Sequence, residues 1–540
     1  AEPAMRLAQV AADAGEGGEG DKDDDDEDDD DDDKGEGAAA RLAAGYYHAC
    51  VWNRAELRCF GGNHAGQCGR GHSSYAGVPG EEAAAAILPD VKRGVPIRQV
   101  SLGKLHTCVL FDDGDLVIFG GNENSELGEP GPAIVDAADL EALAPLKFPA
   151  IDGQSARPKV AAVSCAGRTS AALLEDGRLF IWGNCQHGQC GQGAESASEA
   201  LALSQAQPVK DLEGIVDVAC SDTFCGAVLK DGATYLWGLN SNGRLGLESR
   251  TSKVMNPAEM HNLLPLEDDE EVDQLVLGGK FACAHTDEGR MLCWGYNKFG
   301  QLGWTFEAEE VGAAPGDMRT IRPHPEKLKN WRYSTGYDHM CAFEPGSQSE
   351  ILCVGRNNYG ALGWAKPTGR EDYVTRATFA NTTAVAIPGS GDDTLVAVAC
   401  ALHHTCALMT SGQILCWGKN TYKSEAEGTT TALTGALGGG RDKEYGEDGN
   451  LAVVPQFKIQ LELTLPPVTA PVQAPESTSR PTERPTREPT PSPAPEPTPN
   501  STLEPTPDPT PEPVPKPTTA APTLSPTRSP TRSPTRSPTR

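Results

Sequence analysis

Between residues 41 and 465, apolar side chains come in short paired runs, each pair split by a Gly-containing turn. One example is Leu173-Leu174, then Glu175-Asp176-Gly177, then the apolar run ending at Trp182-Gly183. Two apolar runs of strand length around such punctuation predict a β-hairpin. The unit recurs with its aromatic-Gly pair, or the equivalent, at Phe60, Phe119, Trp182, Trp237, Trp294, Val354 and Trp417. The intervals are 59, 63, 55, 57, 60 and 63 residues. A single hairpin of this size cannot bury its apolar face, whereas seven packed radially can, and closing the circle removes exposed sheet edges. The pattern therefore predicts an all-β chain built as a seven-bladed β-propeller. Near its end, Phe457, Ile459, Leu461, Leu463 and Leu465 alternate with polar residues, which predicts one more strand. The first repeat has little sequence before Leu42, so this strand is expected to complete a blade beside it as a clasp. Residues 421–450 are rich in Gly and Thr and read as a loop.

Composition confines the core to this central part. Residues 1–40 hold 17 acidic and 3 basic side chains, including the run DKDDDDEDDDDDDK at 21–34. Such a run repels itself and buries nothing, so an acidic disordered arm is expected. Residues 466–540 hold 24 of the 43 prolines and no cysteine or aromatic ring, ending in SPTRSPTRSPTR. Closely spaced prolines forbid helix and sheet, and the Ser/Thr-Pro series reads as a disordered Pro/Ser/Thr-rich stalk. Of the net charge of −30, the arm carries −14 and the stalk +1, which leaves −17 on residues 41–465. A body so acidic repels phosphate, and nucleic acid is not expected as a partner. No run of about 18 apolar residues exists, so no helical membrane span is expected.

The repeats also resemble a known family. Leu173-Leu174-Glu175-Asp176-Gly177 with Trp182-Gly183-Asn184 and Gly188-Gln189-Cys190-Gly191 is similar to the repeat of the regulator of chromosome condensation family. So are His404-Thr405-Cys406-Ala407-Leu408 and Gly300-Gln301-Leu302-Gly303. The resemblance covers about 41–465 and implies a seven-bladed propeller, in agreement with the hairpin count. It also brings the family's founding activity, guanine-nucleotide exchange on a small GTPase, as an alternative function. No motif here maps onto the catalytic loop of that activity. The Gly-Trp-Arg-His-Thr motif of the family's ultraviolet-B photoreceptors is absent; the matching segments read GKLHT, GYDHM and ALHHT.

Four repeats carry one cysteine on each hairpin arm: Cys50 and Cys59, Cys283 and Cys293, Cys341 and Cys353, Cys406 and Cys416. Counting outward from the loop Asp287-Glu288-Gly289 sets Cys283 opposite Cys293 at a non-hydrogen-bonded position. There the Cα atoms approach to about 4.5 Å, within disulfide range. Zinc needs four convergent ligands, and these pairs lie on different blades. Four disulfides are therefore expected, and with them an oxidising compartment. For the other cysteines the expected pairs are Cys68–Cys108, Cys190–Cys225 and Cys165–Cys220, with Cys185 and Cys400 left over. Asn381-Thr-Thr and Asn500-Ser-Thr are glycosylation sequons.

No nucleophile elbow, zinc-protease motif or phosphate loop occurs, and no catalytic, cofactor or metal site is expected. His48, His106, His339, His403 and His404 recur with the repeat and read as hydrogen-bonded blade residues. Trp304, Trp331 and Trp364 form a candidate aromatic patch on one rim, suited to anchor a protein or glycan. The resulting expectation is a secreted, extracellular or cell-wall propeller, monomeric and non-enzymatic, that grips a protein or glycan on one face. A cytoplasmic exchange factor is the alternative. The cysteine-bearing repeats also resemble those of extracellular receptor-kinase propellers in plants and secreted bacterial inhibitor propellers.

Overall fold

Seven antiparallel sheets follow one another along the chain, in the order the hairpin repeat predicts. The structure is a computed structural model. It describes residues 40–73, 86–88, 92, 94–149, 158–193, 200–259, 263–304, 309–348, 350–357, 359–363, 378–382, 384–385, 387 and 393–419, and the backbone of 421–423, 432–434 and 452–458. Each sheet opens with an inner strand: Arg41–Ala44, Ile97–Leu102, Val160–Ala166, Ile215–Cys220, Val272–Leu277, Arg332–Thr335 and Leu395–Cys400. Every inner strand touches the next, and the seventh touches the first, so the ring is closed. Together they enclose a central channel of about 920 Å³.

In each blade the inner strand pairs with a second strand, and that with a third, such as Thr169–Leu174 and Leu179–Asn184 in the third blade. The third, fourth, fifth and seventh blades gain a fourth strand. In the first, second and sixth blades scattered contacts stand at the outer edge: Ala86 N–H donates to Leu57 O at 2.8 Å, Leu146 N–H to Leu116 O at 2.9 Å and Val385 N–H to Ile351 O at 2.8 Å, and Ile134 and Ala384 form isolated bridges to Gly120 and Leu352.

The C-terminal strand runs Ala452–Lys458 and pairs with Gln413–Gly418 as the fourth strand of the seventh blade. The first blade takes no strand from it and builds its inner strand from Arg41–Ala44. The expected clasp is thus corrected: Arg41–Ala44 and Ala452–Lys458 lie in different sheets, and the C-terminal strand finishes the sheet of its own repeat. Residues 459–465 of that expected strand lie outside the described residues. Within 421–450, Thr421–Lys423 pairs with Ala432–Thr434, so a small hairpin stands where a plain loop was expected.

Adjacent blades are latched by the same positions repeatedly. The Trp of the third strand reaches back to the turn of the preceding blade. Trp182 Nε1 donates to Glu126 O at 3.0 Å, Trp237 to Gln189 O at 2.8 Å, Trp294 to Arg244 O at 3.0 Å and Trp417 to Ala361 O at 2.9 Å. All four rings are fully buried, so each indole finds the partner that a buried N–H requires. Hydroxyls add a second latch. Thr107 Oγ1 donates to Gln67 O at 2.7 Å, and its oxygen meets His48 Nε2 at 2.9 Å. The hydroxyl has a single proton, already given to the carbonyl, so His48 Nε2 is the donor. His106 with Ser170, and His339 with Thr405, repeat the arrangement. Glycine is required beside these rings: a Cβ on Gly103 would lie 2.1 Å from His106.

Candidate functional site

The loops joining inner to second strands ring one mouth of the channel, two or three residues per blade. They read GYYHA, GKLHT, AGRTS, CSDTF, GGKFA, GYDHM and ALHHT from the first blade to the seventh. The flanking positions hold the fold. The positions between place Tyr46, Tyr47, Lys104, Arg168, Asp222, Lys280, Tyr337 and His403, all half-buried, on the rim. Main-chain bonds tie these loops across blades: Lys104 N–H to Gly167 O at 2.6 Å, Gly279 N–H to Gly336 O at 3.2 Å and Tyr337 N–H to Ala401 O at 3.2 Å. The side chains are therefore presented from a fixed frame.

Rings and cations interleave there. Tyr46 meets Tyr47 and Tyr337 edge-on at 6.3 and 6.4 Å, and His403 lies 5.2 Å from Tyr359. Lys280 Nζ lies 5.3 Å from the Tyr296 ring centre and 5.0 Å from that of Tyr337. Arg356 lies 4.8 Å over Phe299, Lys419 4.4 Å over Tyr359, and Lys104 6.0 Å over Tyr47. Attraction between a cation and a ring quadrupole operates within about 6 Å. Beneath them Asp338, only 2% exposed, takes Lys280 at 3.6 Å and Arg356 at 3.5 Å.

Burial, with the Asp222 carboxylate close by, pushes the Tyr46 phenol well above its ordinary value. Burial, helped by Lys419, pushes the His403 imidazole down to about 3, so the ring is neutral at physiological pH. His403 sits one position before His404, the counterpart of the latch residues His48, His106 and His339, and belongs to the rim.

Trp304 and Trp331 are core residues. Both are under 10% exposed within one apolar cluster, and the Trp304 N–H donates to Cys293 O at 3.3 Å. The expected rim patch of tryptophans is corrected accordingly: these rings fill space between blades. Trp364 lies outside the described residues. Sequence reasoning missed the tyrosine and cation rim, and aligning the two positions before the latch residue in all seven loops would have exposed it.

The four hairpin pairs, Cys50–Cys59, Cys283–Cys293, Cys341–Cys353 and Cys406–Cys416, are each bonded at a Cα separation of 4.1 Å and are direct register partners. The other expected pairs are corrected. Cys220 bonds to Cys225, its partner across the tight turn between inner and second strand. Cys185 bonds to Cys190 within one turn, and Cys108 bonds to Cys165 of the next blade. Cys68 and Cys400 remain as buried thiols. Among the described residues, His106, Cys108 and Cys165 are the one group with metal-ligating atoms within 4.8 Å, but the two sulfurs are bonded to each other. Asn381 is exposed after the third strand of the sixth blade; Asn500 lies outside the described residues.

Sequence profiles agree with this architecture. The profile of the regulator of chromosome condensation (RCC1) repeat matches residues 97–126, 272–301 and 395–423, each an inner strand with its hairpin. A second profile of that repeat matches 176–228, straddling two blades. The chain carries regulator of chromosome condensation repeats. Human E3 ubiquitin-protein ligase HERC2 is 28% identical over 283 residues, 51% of this chain and 5% of that protein. The ultraviolet-B receptor UVR8 of Arabidopsis thaliana is 26% identical over 333 residues, 61% of this chain and 68% of the receptor. The chain thus spans only a small part of the ligase. Prp20p of Saccharomyces cerevisiae superposes with a TM-score of 0.53 at 18% identity, covering 67% of this chain and 80% of that one. Human WBSCR16 superposes at 0.53 with 21% identity, covering 77% and 94%. Both are likenesses of fold.

Proposed function

We propose that this RCC1-repeat propeller is a non-enzymatic protein-binding module, stapled by disulfides and working in an oxidising compartment, secreted or at the cell surface. The observation that carries the reading is the placement of the cysteines. Fourteen of the sixteen lie in bonded pairs, five of them register partners across adjacent strands at 4.1 Å. A reducing cytosol would hold such thiols apart, whereas an oxidising space keeps them joined. The acidic arm at 1–40 and the Pro-rich stalk at 466–540 would flank the propeller at 41–465, and Asn381 and Asn500 would carry glycans. A binding role fits the rim, whose fixed loops offer rings and charges without a nucleophile, base and orienting group in sequence.

Peptide mapping of the protein from its native source, with and without reductant, tests this. The expected result is the seven bonded pairs, with glycan mass on Asn381. Alkylation of all sixteen cysteines without reduction would remove the extracellular reading. Accelerated nucleotide release from a small GTPase would favour the exchange factor instead.

A further inference from the structure

We infer that Cys400 is a second partner for Cys341, so that thiol–disulfide exchange turns the hairpin staple Cys341–Cys353 into a staple between the sixth and seventh blades. This goes beyond the binding reading above and rests only on its bonded cysteines. The first ground is a match between two junctions. Between the second and third blades, His106 meets Ser170 Oγ, Ser101 Oγ accepts from Cys165 N–H at 2.8 Å, and Trp182 donates to Glu126 O. Between the sixth and seventh, His339 meets Thr405 Oγ1, Ser334 Oγ accepts from Cys400 N–H at 2.8 Å, and Trp417 donates to Ala361 O. Cys341, two residues after His339, therefore stands where Cys108 stands, and Cys400, register partner of Thr405, stands where Cys165 pairs with Ser170. Cys108 and Cys165 are bonded across their junction. Cys341 is bonded to Cys353 within its own hairpin, and Cys400 is left as a buried thiol.

The second ground is proximity. The Cys341 main-chain N–H is directed at the Cys400 sulfur, and Cys341, Cys353 and Cys400 share one apolar cluster. Cys406 and Cys416, the bonded pair of the seventh blade, lie in a different cluster with Leu42 and Phe60 of the first. The third ground is what cysteines at this inner-strand position do elsewhere. Cys165 takes Cys108, whereas Cys220 has Ala171 at the place of Cys108 and bonds to Cys225 across the turn. Cys400 has Thr405 at the place of Cys225, which leaves Cys341 as its partner.

The exchange balances without an added oxidant. The Cys400 thiol gives its proton to water and the thiolate attacks Cys341 Sγ. The Cys341–Cys353 bond breaks as the Cys341–Cys400 bond forms, and the Cys353 thiolate takes up a proton. The hairpin holds without its staple, since in the second blade Cys108 and Ile118 are register partners with no bond between them. The new bond spans 59 residues (400 − 341) instead of 12, which restricts the unfolded chain more. Burial pushes the Cys400 thiol up to about 12, so exchange is slow near neutral pH and quickens as base supplies thiolate.

The test is disulfide mapping of the full chain, oxidised and free of reductant, held at about pH 7 or about pH 9 and then denatured in acid with N-ethylmaleimide. The label is expected to move from Cys400 to Cys353, roughly a hundredfold faster at the higher pH, with Cys341 bonded throughout. Label confined to Cys400 at both pH values overturns the inference. Cys353→Val, refolded in a glutathione buffer, is expected to yield a Cys341–Cys400 peptide; a folded variant with both thiols free also overturns it. In Cys400→Ser the Cys341–Cys353 pair should persist at both pH values, and label on Cys353 there would assign the exchange to another thiol and overturn it too. A chain that forms its seven pairs and shows none of these shifts defeats this inference alone. A Cys341–Cys400 peptide from the oxidised chain supports it even where the native source holds sixteen free thiols, which defeats only the compartment reading.

Discussion

The junction between the second and third blades and the one between the seventh and first use the same positions and differ in nearly every bond. In the former, the Gln99 amide bridges both Val163 O at 2.7 Å and Val163 N–H at 3.1 Å, and Ser101 Oγ accepts from Cys165 N–H at 2.8 Å. His106 meets Ser170, Trp182 donates to Glu126 O, and Cys108 is bonded to Cys165. In the latter, the positions of Gln99 and Ser101 are Ala397 and Ala399, that of Ser170 is Ala49, and that of Trp182 is Phe60. Apolar packing joins Leu42, Ala49, Val51 and Phe60 to Ala397, Ala399, Leu408 and Ile414. At the fifth-to-sixth junction Met340 and Val354 stand at the positions of Ser170 and Trp182, Thr335 Oγ1 donates to Leu277 O at 2.8 Å, and the surrounding cluster includes Trp294, Trp304 and Phe379. Among the described residues, the closing seam thus sets smaller apolar groups at the positions that carry directional bonds in the second-to-third junction, which teaches that ring closure here leans on shape as much as on hydrogen bonds.

The most disruptive change to this contrast is removal of the inter-blade staple. Cys108→Ala with Cys165→Ala opens a bond spanning 57 residues. Chain-entropy reasoning puts its loss at about 4 kcal/mol, read as a lower denaturant midpoint without reductant. An unchanged midpoint would mean that the strong junction does not depend on the disulfide.

Acid acts next. Burial pushes His106 down to about 4 and His404 to about 3, both below the ordinary imidazole value near 6.5. A histidine held neutral in the folded state stabilises the protein above that ordinary value, and its contribution is lost as pH falls from there through the folded value. His106 alone withdraws roughly 3 kcal/mol between neutral pH and about pH 4. The expected outcome is a melting temperature that falls steadily below pH 6.5. The seam at the first blade, which has no covalent bond to its neighbour among the described residues, should open first. A flat profile from pH 7 to 4 would contradict this.

Ser170→Ala makes a finer cut. It deletes the latch to His106 and to Glu126 O, at about 1 kcal/mol in urea unfolding, and leaves the neighbouring Trp182 bond in place. The smallest effect is in amide exchange. Protons of Arg41–Ala44 should exchange about tenfold faster than those of Val160–Ala166, which corresponds to about 1.4 kcal/mol in local opening. Equal rates would erase the distinction between the two junctions.

The wheel of seven sheets was legible because the repeat is local. Each hairpin declares itself by a Gly turn and an aromatic-Gly end, and the count of units sets the closure. The pairing of Cys283 with Cys293 was legible for the same reason, since register follows from a three-residue loop. The bonds Cys108–Cys165 and Cys185–Cys190 were not, because the first joins separate blades and the second depends on the path of a single turn. Trp304 and Trp331 misled because tryptophan is equally at home in a core and on a binding surface, and only the packing of neighbouring blades decides. The rim was hidden because Tyr46, Lys280 and Tyr337 are far apart along the chain and converge only when the circle closes.

The main-chain bonds that lace the rim loops together have an evolutionary implication. Each loop separates the residues that hold architecture, such as Gly103 and His106, from the pair between them that meets the outside. Exchanging that pair leaves the lattice of turns intact, so one scaffold can acquire new partners by altering a dozen or so side chains while the seven sheets stay as they are.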